Sequence, residues 1–374
     1  MGEKTVLVVF PSVFSLNKLD ALQENVAKIL KIKKHDPART RKNESLVVVE
    51  TADPVLASST LVSLFGIEQV AIAKEVECKF ASVLEAITTT SMNLLLKGDK
   101  FYVKVGGKSP DFVAKDLEVA ATASLIEKSS SLEVQPGSES NHTKMLYTHI
   151  TKSHAYVCIF VDRGLGGVPY NSQGEAAVCC IYDELSALSC LQTIRSGFEV
   201  KIVVAYSGDP DLLRISKMVN RLLLSIVEEK VTLYFCRMHK VQDTMTRILV
   251  ATRIAKSVSK SKKIRHVALP ILPLAFPAWF IEENLRTIAK SGLVPWLPLE
   301  GMDSSILENS KQLGLEKYMV DLENLCKSKF AKKAVPEKKV QDEALFATKN
   351  LKSVTLTVGP KNVYDMIDSL RTNH

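Results

Sequence analysis

The chain opens on an apolar run, Thr5 to Phe10, of strand length. From Leu19 to Ile32 the apolar positions Leu19, Leu22, Val26 and Leu30 recur at helical spacing. SLVVVE (Ser45 to Glu50) reads as a strand, and Pro54 to Leu64 as a helix closed by Phe65-Gly66-Ile67. Val70 to Glu77 reads as a strand again. Strand, helix, strand, helix, strand over residues 5 to 77 predicts a small α+β domain of ferredoxin-like character.

A second unit follows. Lys79 to Leu96 is helical in pattern, and KFYVKV (Lys100 to Val105) alternates apolar and polar as a half-buried strand does. Pro110 to Glu127 is predicted as a helix with Ser109 as N-cap and Asp111 in its first turn. Ser129 to Lys144 is polar and reads as a loop. Met145 to Ile150 and Ala155 to Arg163 read as strands, and Gly164 to Pro169 as a turn-rich hinge.

The third unit changes character. Ala176 to Tyr182, Glu199 to Tyr206, Lys230 to Arg237 and His266 to Ile271 are predicted strands, apolar almost throughout. Between them lie helical stretches, Glu184 to Arg195, Pro210 to Val227 and Asp243 to Ser259. Such alternation predicts a parallel sheet covered on both faces, with ligands at the carboxyl ends of its strands. From Lys327 a basic, Pro-containing linker leads to a strand (Val354 to Val358) and a helix (Asn362 to Leu370).

Composition narrows the function classes. The 374 residues are 46% hydrophobic and 24% charged, which suits a soluble globular chain of two or three domains. No apolar run reaches membrane-spanning length, and MGEKTVLVVF reads as a first strand rather than a signal peptide. The seven cysteines form no CxxC pair, which implies a reduced cytoplasmic setting and no zinc site. The seven histidines make no HxH or HxxxH spacing, and neither GxSxG nor GxGxxG occurs. No metal or independent catalytic centre is therefore expected.

The net charge of +8 gathers in four runs: Lys28 to Lys34, Ala38 to Lys42, Lys256 to His266 and Lys327 to Lys333. Each taken singly reads as a solvated face. As a set they point to at least one phosphate-tracking surface.

Several segments then resemble one family in order and spacing. FYVKVGGKSPDFVAKDLEVAATASLI is similar to the THUMP signature, and VDRGLGGVPYNSQGEAAVCC to the junction that feeds the first strand of a PP-loop domain. FPSVFSLNK, ARTRKNESLVVVE and LFGIEQVAIAKEVE fit the ferredoxin-like domain that precedes it. TRILVATRIAKSVSK, EENLRTI and PLEGMDSSILENSKQLG follow downstream. The whole chain resembles the tRNA 4-thiouridine sulfurtransferase (ThiI) family. The resemblance implies an α/β protein with an α+β N-terminal part. Its domains would be a ferredoxin-like domain at 1–77, a THUMP RNA-binding domain at 78–168 and a Rossmann-like PP-loop domain at 169–374.

The resemblance also implies a division of labour, in which the first two domains grip tRNA and the PP-loop domain adenylates a uridine with ATP before a cysteine delivers sulfur. Arg39, Arg41, Lys104, Lys108, Lys115 and Arg163 are the implied phosphate contacts. Gly106-Gly107 reads as a tight turn, the alternative being close approach of backbone to RNA.

The implied ATP grip is missing. The SGGxDS turn falls on Ile181, Tyr182, Asp183, Glu184, Leu185 and Ser186, where only the last serine survives. Tyr182 puts bulk, and Asp183 and Glu184 negative charge, where phosphate would sit. A magnesium ion bridging the two carboxylates has little support, and the turn reads as an acid-stabilised helix start. The TGESLGQ motif falls on Pro270 to Phe276 (PILPLAF), where its chemistry is absent. With Trp279 and Phe280 that segment reads as core packing, or alternatively as a partner-binding or base-stacking surface. In place of paired cysteines stands Cys326, beside Lys327 and Lys329. Cys179-Cys180 lies on a strand, so at least one of the two is core.

These readings predict a cytoplasmic tRNA-binding or structured-RNA-binding protein that lacks adenylation and sulfur transfer, uses no cofactor and works with a catalytic partner or as a homodimer. The alternative is an active uridine-thiolating enzyme with a rebuilt site for ATP and magnesium. A further alternative is an assembly subunit whose PILPLAFPAWF surface meets a homologue.

Overall fold

The computed structural model describes residues 4–35, 37–239, 241, 243–300, 310–311, 313–315, 318, 320, 324, 327, 337–359 and 362–371. Chain contacts divide it into two compact units, Met1–Gly166 and Gly167–His374.

The first unit is one curled sheet with helices on one face. Its strands are β1 (Lys4–Pro11), β2 (Ala38–Asn43), β3 (Leu46–Thr51), β4 (Ile67–Glu77), β5 (Lys100–Gly107), the short β6 (Gln135–Pro136), β7 (Lys144–Ile150) and β8 (His154–Gly166). Their order is β2-β3-β1-β4-β8-β7-β5-β6. Strands β4 and β8 pair antiparallel along nearly their whole lengths, so the residues before and after Glu77 share a single sheet. The helices are α1 (Leu19–Ile32), α2 (Pro54–Leu61), α3 (Phe80–Met92) and α4 (Ala114–Lys128). Helices α3 and α4 bury Val103, Val105, Leu146 and Ile150 beneath them.

The opposite face has its own apolar cluster: Val6, Val8, Leu46, Val48, Ala71, Ala73, Tyr156 and Cys158, with Phe10 and Tyr147 packed against it. No helix residue belongs to this cluster. It is buried because the sheet curls over it. Four strand spacings of about 4.8 Å separate β2 from β8 along the sheet, yet Asn43 Nδ2 on β2 donates to the Tyr156 hydroxyl on β8 at 2.6 Å. At the same end Glu44 accepts from the backbone N–H of Lys152 at 2.8 Å. The rings of Phe10 and His149, on β1 and β7, lie 5.3 Å apart.

Several local expectations change. Strand β2 was not legible as a strand, because Arg39, Arg41 and Lys42 leave it no apolar alternation; a charged edge strand needs none. Ser109 does not cap α4. It accepts from the N–H of Asp111 at 3.2 Å, and the helix starts only after Val113, whose backbone is extended. Gly106-Gly107 is no turn: both residues belong to β5, paired with His149 and Ile150. Glycine is needed at Gly107, where φ is +87° and a Cβ would lie 1.9 Å from the Ile150 carbonyl oxygen. The expected hinge at Gly164 to Pro169 is strand as far as Gly166. A Cβ on Gly164 would meet the Ile67 carbonyl oxygen at 2.3 Å, so glycine there lets β8 close on the start of β4.

The second unit is a six-stranded sheet in the order β13-β12-β9-β10-β11-β14. Its strands are β9 (Ala176–Ile181), β10 (Glu199–Tyr206), β11 (Lys230–Arg237), β12 (His266–Ala268), β13 (Val294–Trp296) and β14 (Lys352–Thr357). All pairs are parallel except β11 with β14. Its helices are α5 (Glu184–Arg195), α6 (Asp209–Leu223), α7 (Thr244–Lys262), α8 (Ala278–Ala289), α9 (Glu337–Lys349) and α10 (Asn362–Arg371). The chain runs outward from β9 through β10 and β11, then returns to β12 on the other side of β9. That reversal makes the carboxyl end of β9 the switch point of the sheet, where ligands of such folds sit. Strand β12 stops sooner than predicted, before Pro270, which has no N–H to continue a ladder. The PILPLAF segment feeds the core, where Ile271, Leu272, Ala275, Phe276 and Phe280 are buried, while Leu274 is exposed.

Candidate functional site

In the first unit, pairing register decides which implied RNA contacts share a surface. Directly paired residues point to the same face of a sheet. Arg41 pairs with Val48, Val48 with Val8, Val8 with Ala71 and Ala71 with Val161, so Arg39, Arg41 and Arg163 lie on the helix-free face. Glu75 pairs with Tyr156, Tyr156 with His149, and Lys104 with Tyr147, which brings Lys104 to that face too. Lys108 lies beyond β5, and Lys115 stands on α4. The sequence names six cations, and the fold puts four of them on the helix-free face of one sheet.

The four differ in their surroundings. Arg41 is held in an ion pair with Glu75, with Glu50 at 3.9 Å. Burial acts to depress its guanidinium, but bonds to Glu75 and Tyr156 prevail and hold it above the ordinary arginine value. Arg41 thus works as a strut beneath the curl. Lys104 Nζ contacts Glu139 at 2.6 Å, an exposed pair that RNA phosphate can displace at little cost. Arg39 and Arg163 are exposed. On α4, Lys115 contacts Glu118 at 2.9 Å, while the other Glu118 oxygen accepts from the Val105 N–H and ties α4 to β5. His149, on the same face as Lys104, accepts or shares a proton with the Tyr147 hydroxyl at 3.1 Å, and burial holds its imidazole below the ordinary histidine range.

In the second unit a cleft of about 730 Å³ opens at the carboxyl ends of β9, β10 and β11. Tyr182, Ser207, Asp211, Arg214 and Arg247 are among the residues that line it. Beside it runs the turn Ile181 to Ser186. The side chains of Asp183 and Ser186 in it bond within the turn. Asp183 caps α5, with Oδ1 accepting from the Ser186 N–H at 2.9 Å. Ser186 Oγ in turn accepts from the N–H groups of Tyr182 and Asp183, each at 2.9 Å. Three backbone donors of the turn are thereby bonded within the chain. Burial raises the Asp183 carboxyl, its own bonds to Ser186 lower it, and burial prevails. Arg214 is clamped between Glu184 and Asp211, the latter at 2.8 Å, and Arg247 lies 3.9 Å from Asp183. The Tyr182 hydroxyl is buried and has no hydrogen-bond partner.

The sequence reading placed this turn but missed the cleft's arginines, which come from α6 and α7. The available signal was Ser207-Gly208-Asp209-Pro210, a helix start directly after a strand's carboxyl end. Cys78, Cys158, Cys179, Cys180, Cys190 and Cys236 are buried. Burial pushes the thiols of Cys158 and Cys236 up to about 12, which disfavours the nucleophilic thiolate. Cys326 lies outside the described residues. Among the described residues no group of histidines, cysteines and carboxylates could hold a metal ion, and no helix is long and apolar enough to cross a membrane.

No protein-family model matches the sequence, and no curated protein matches it at a significant level. Solved structures do match in shape. A 4-thiouridine synthetase, solved as an RNA complex with bound ATP, superposes with a TM-score of 0.69 at 15% identity, covering 94% of this chain and 99% of that one. The protein PH1313 of Pyrococcus horikoshii superposes at 0.63 and 18% identity, covering 83% of this chain and 100% of its own. The fold is shared. It is a mixed α/β architecture whose second unit is a Rossmann-like, mostly parallel sheet, as the sequence implied.

Proposed function

We propose that this chain binds tRNA or a similarly structured RNA through its first unit, and that its second unit neither adenylates nor transfers sulfur. The observation that carries the RNA reading is the convergence of Arg39, Arg41, Lys104 and Arg163 on one helix-free face, in a fold shared with a protein solved in complex with RNA. On this reading residues 1–77 and 78–168 supply the ferredoxin-like and THUMP parts of the grip, and residues 169–374 a PP-loop domain without its loop. Binding is led by phosphate contacts and by RNA shape, so it falls steeply as salt rises.

The loss of adenylation rests on the turn at Ile181 to Ser186. The N–H groups of Tyr182, Asp183 and Ser186 are bonded within the turn, and its two carboxylates repel phosphate. The chain then recruits or regulates a catalytic partner in a reduced, cytoplasmic setting. A second reading, an enzyme with a rebuilt ATP site, is favoured by the open cleft and by the unpartnered Tyr182 hydroxyl beside it.

One experiment separates the two readings. Filter binding of a tRNA transcript is followed across a salt series, and calorimetry with ATP and magnesium is run in the same buffer. Salt-sensitive RNA binding with no ATP heat is the expected result. Magnesium-dependent ATP binding would overturn the non-catalytic reading, and no RNA binding at low salt would overturn both.

A further inference from the structure

Between Asp243 and Glu282 the sequence has no acidic residue, while it carries Arg247, Arg253, Lys256, Lys260, Lys262, Lys263 and Arg265. Helix α7 fills half of that stretch. A solvated helix face ordinarily mixes signs, because opposite charges at i,i+4 stabilise and like charges destabilise by about 0.2–0.5 kcal/mol per pair. Here Lys256 and Lys260 form a like pair at i,i+4, and Arg253 stands on the same side at i−3 from Lys256.

The structure relieves little of this. Arg253 contacts Glu337 at 3.3 Å and Gln341 at 3.2 Å on α9. Lys262 lies 4.9 Å above the Tyr234 ring. Among the described residues no carboxylate forms an ion pair with Lys256, Lys260, Lys263 or Arg265. Burial first, and then the charges of Arg253 and Lys260, hold the Lys256 ammonium below its ordinary range, with Glu337 acting the other way. Cations in the last turn complement the helix dipole, which accounts for Lys260 and Lys262. It accounts neither for Lys256, a turn earlier, nor for Arg265 beyond the helix, nor for the missing acids.

We infer that the Lys256–Lys260–Lys263–Arg265 ridge at the end of α7 is a second RNA-contact surface, which takes backbone phosphates of the RNA proposed above. The inference rests on that RNA reading. The ridge stands at the amino-terminal end of the sheet, where β12 begins, whereas the cleft lies at the carboxyl ends of the strands. Lys256 and Lys260 are separated by a rise of about 6 Å along the axis, so both can engage one strand. An anionic membrane is the weaker partner, because surface-lying helices bury large apolar side chains beside their lysines. On α7 no large apolar side chain is exposed.

The test uses the full chain and an unmodified tRNA transcript, with affinity measured by fluorescence anisotropy over a salt series. Lys256→Gln/Lys260→Gln is compared with Lys217→Gln/Lys349→Gln, which removes the same charge from exposed positions on α6 and α9. The ridge variant is expected to bind about tenfold more weakly at low salt, and its slope of log affinity against log salt to flatten by roughly 1.5, near 0.7–0.9 per lost phosphate contact. Its melting temperature is expected to match or exceed that of the wild type, because the two lysines repel each other. If the wild type binds and the two variants behave alike, the ridge is overturned while the RNA reading stands. If the wild type binds no RNA at low salt, the underlying reading fails first. Ridge-dependent binding to phosphatidylserine vesicles, with the RNA slope unchanged, would overturn the assignment in favour of a membrane.

Discussion

Asp183 and His149 show how single side chains fix what each unit can do. Asp183 gives α5 its cap, and replacing such a cap with alanine costs about 1 kcal/mol. Asp183→Ala is therefore expected to lower the melting temperature by roughly 2–4 °C, read by circular dichroism. If the midpoint does not move, the cap is not what occupies the turn. His149 makes a pH prediction. Burial depresses its folded pKa below the unfolded value near 6.5, so the folded state binds its proton less readily than the unfolded chain. Its contribution is present in full above about pH 6.5 and is lost as pH falls through the folded pKa. Urea titrations of wild type and His149→Gln at pH 7.5 and pH 5 are expected to show a smaller acid loss in the variant. Gly107 admits no side chain, since φ there is positive and a Cβ would strike the Ile150 carbonyl oxygen. Gly107→Ala is expected to destabilise by roughly 2–4 kcal/mol in the same titration.

At the scale of elements, the alternating strands and helices of the second unit were legible because their strands are apolar on both faces. Helices α5 and α7 were placed within a few residues for the same reason, since each buries a broad apolar side. What the sequence hid was non-local. Strand β2 carries basic side chains and gains its register only from β3. The delayed start of α4 depends on Ser109 bonding locally to Asp111. The six cations were readable as residue types, but only the pairing of β4 with β8 puts Arg163 and Arg39 on one face. The cleft was half legible: its turn sat at a predicted strand end, whereas Arg214 and Arg247 arrive from separate helices. Asn43, which closes the curl, gave no signal at all. Asn43→Ala is expected to cost about 1–2 kcal/mol, because it removes two bonds to Thr151 and Tyr156 and leaves the buried Tyr156 hydroxyl one donor poorer. A change below a few tenths would mean the sheet curls without it.

For the whole molecule, the division at Gly166 predicts that residues 1–166 fold alone, since the apolar clusters beneath α3 and α4 and on the helix-free face are built from residues of that unit. Expressed separately, that fragment is expected to melt cooperatively and to keep salt-dependent RNA binding. A cut at residue 77 is expected to give an aggregating product, because it strips β8 from the edge of β4. The same pairing sets a timetable for the ribosome. Residues 78–153, 76 in all, lie between the end of β4 and the start of β8. At roughly 5–20 residues per second the nascent chain carries an unpaired β4 edge for about 4–15 s. Throughout that wait the apolar strip Val70 to Ala73 is open to wrong partners, so synthesis speed and chaperone supply bear on the yield of folded protein.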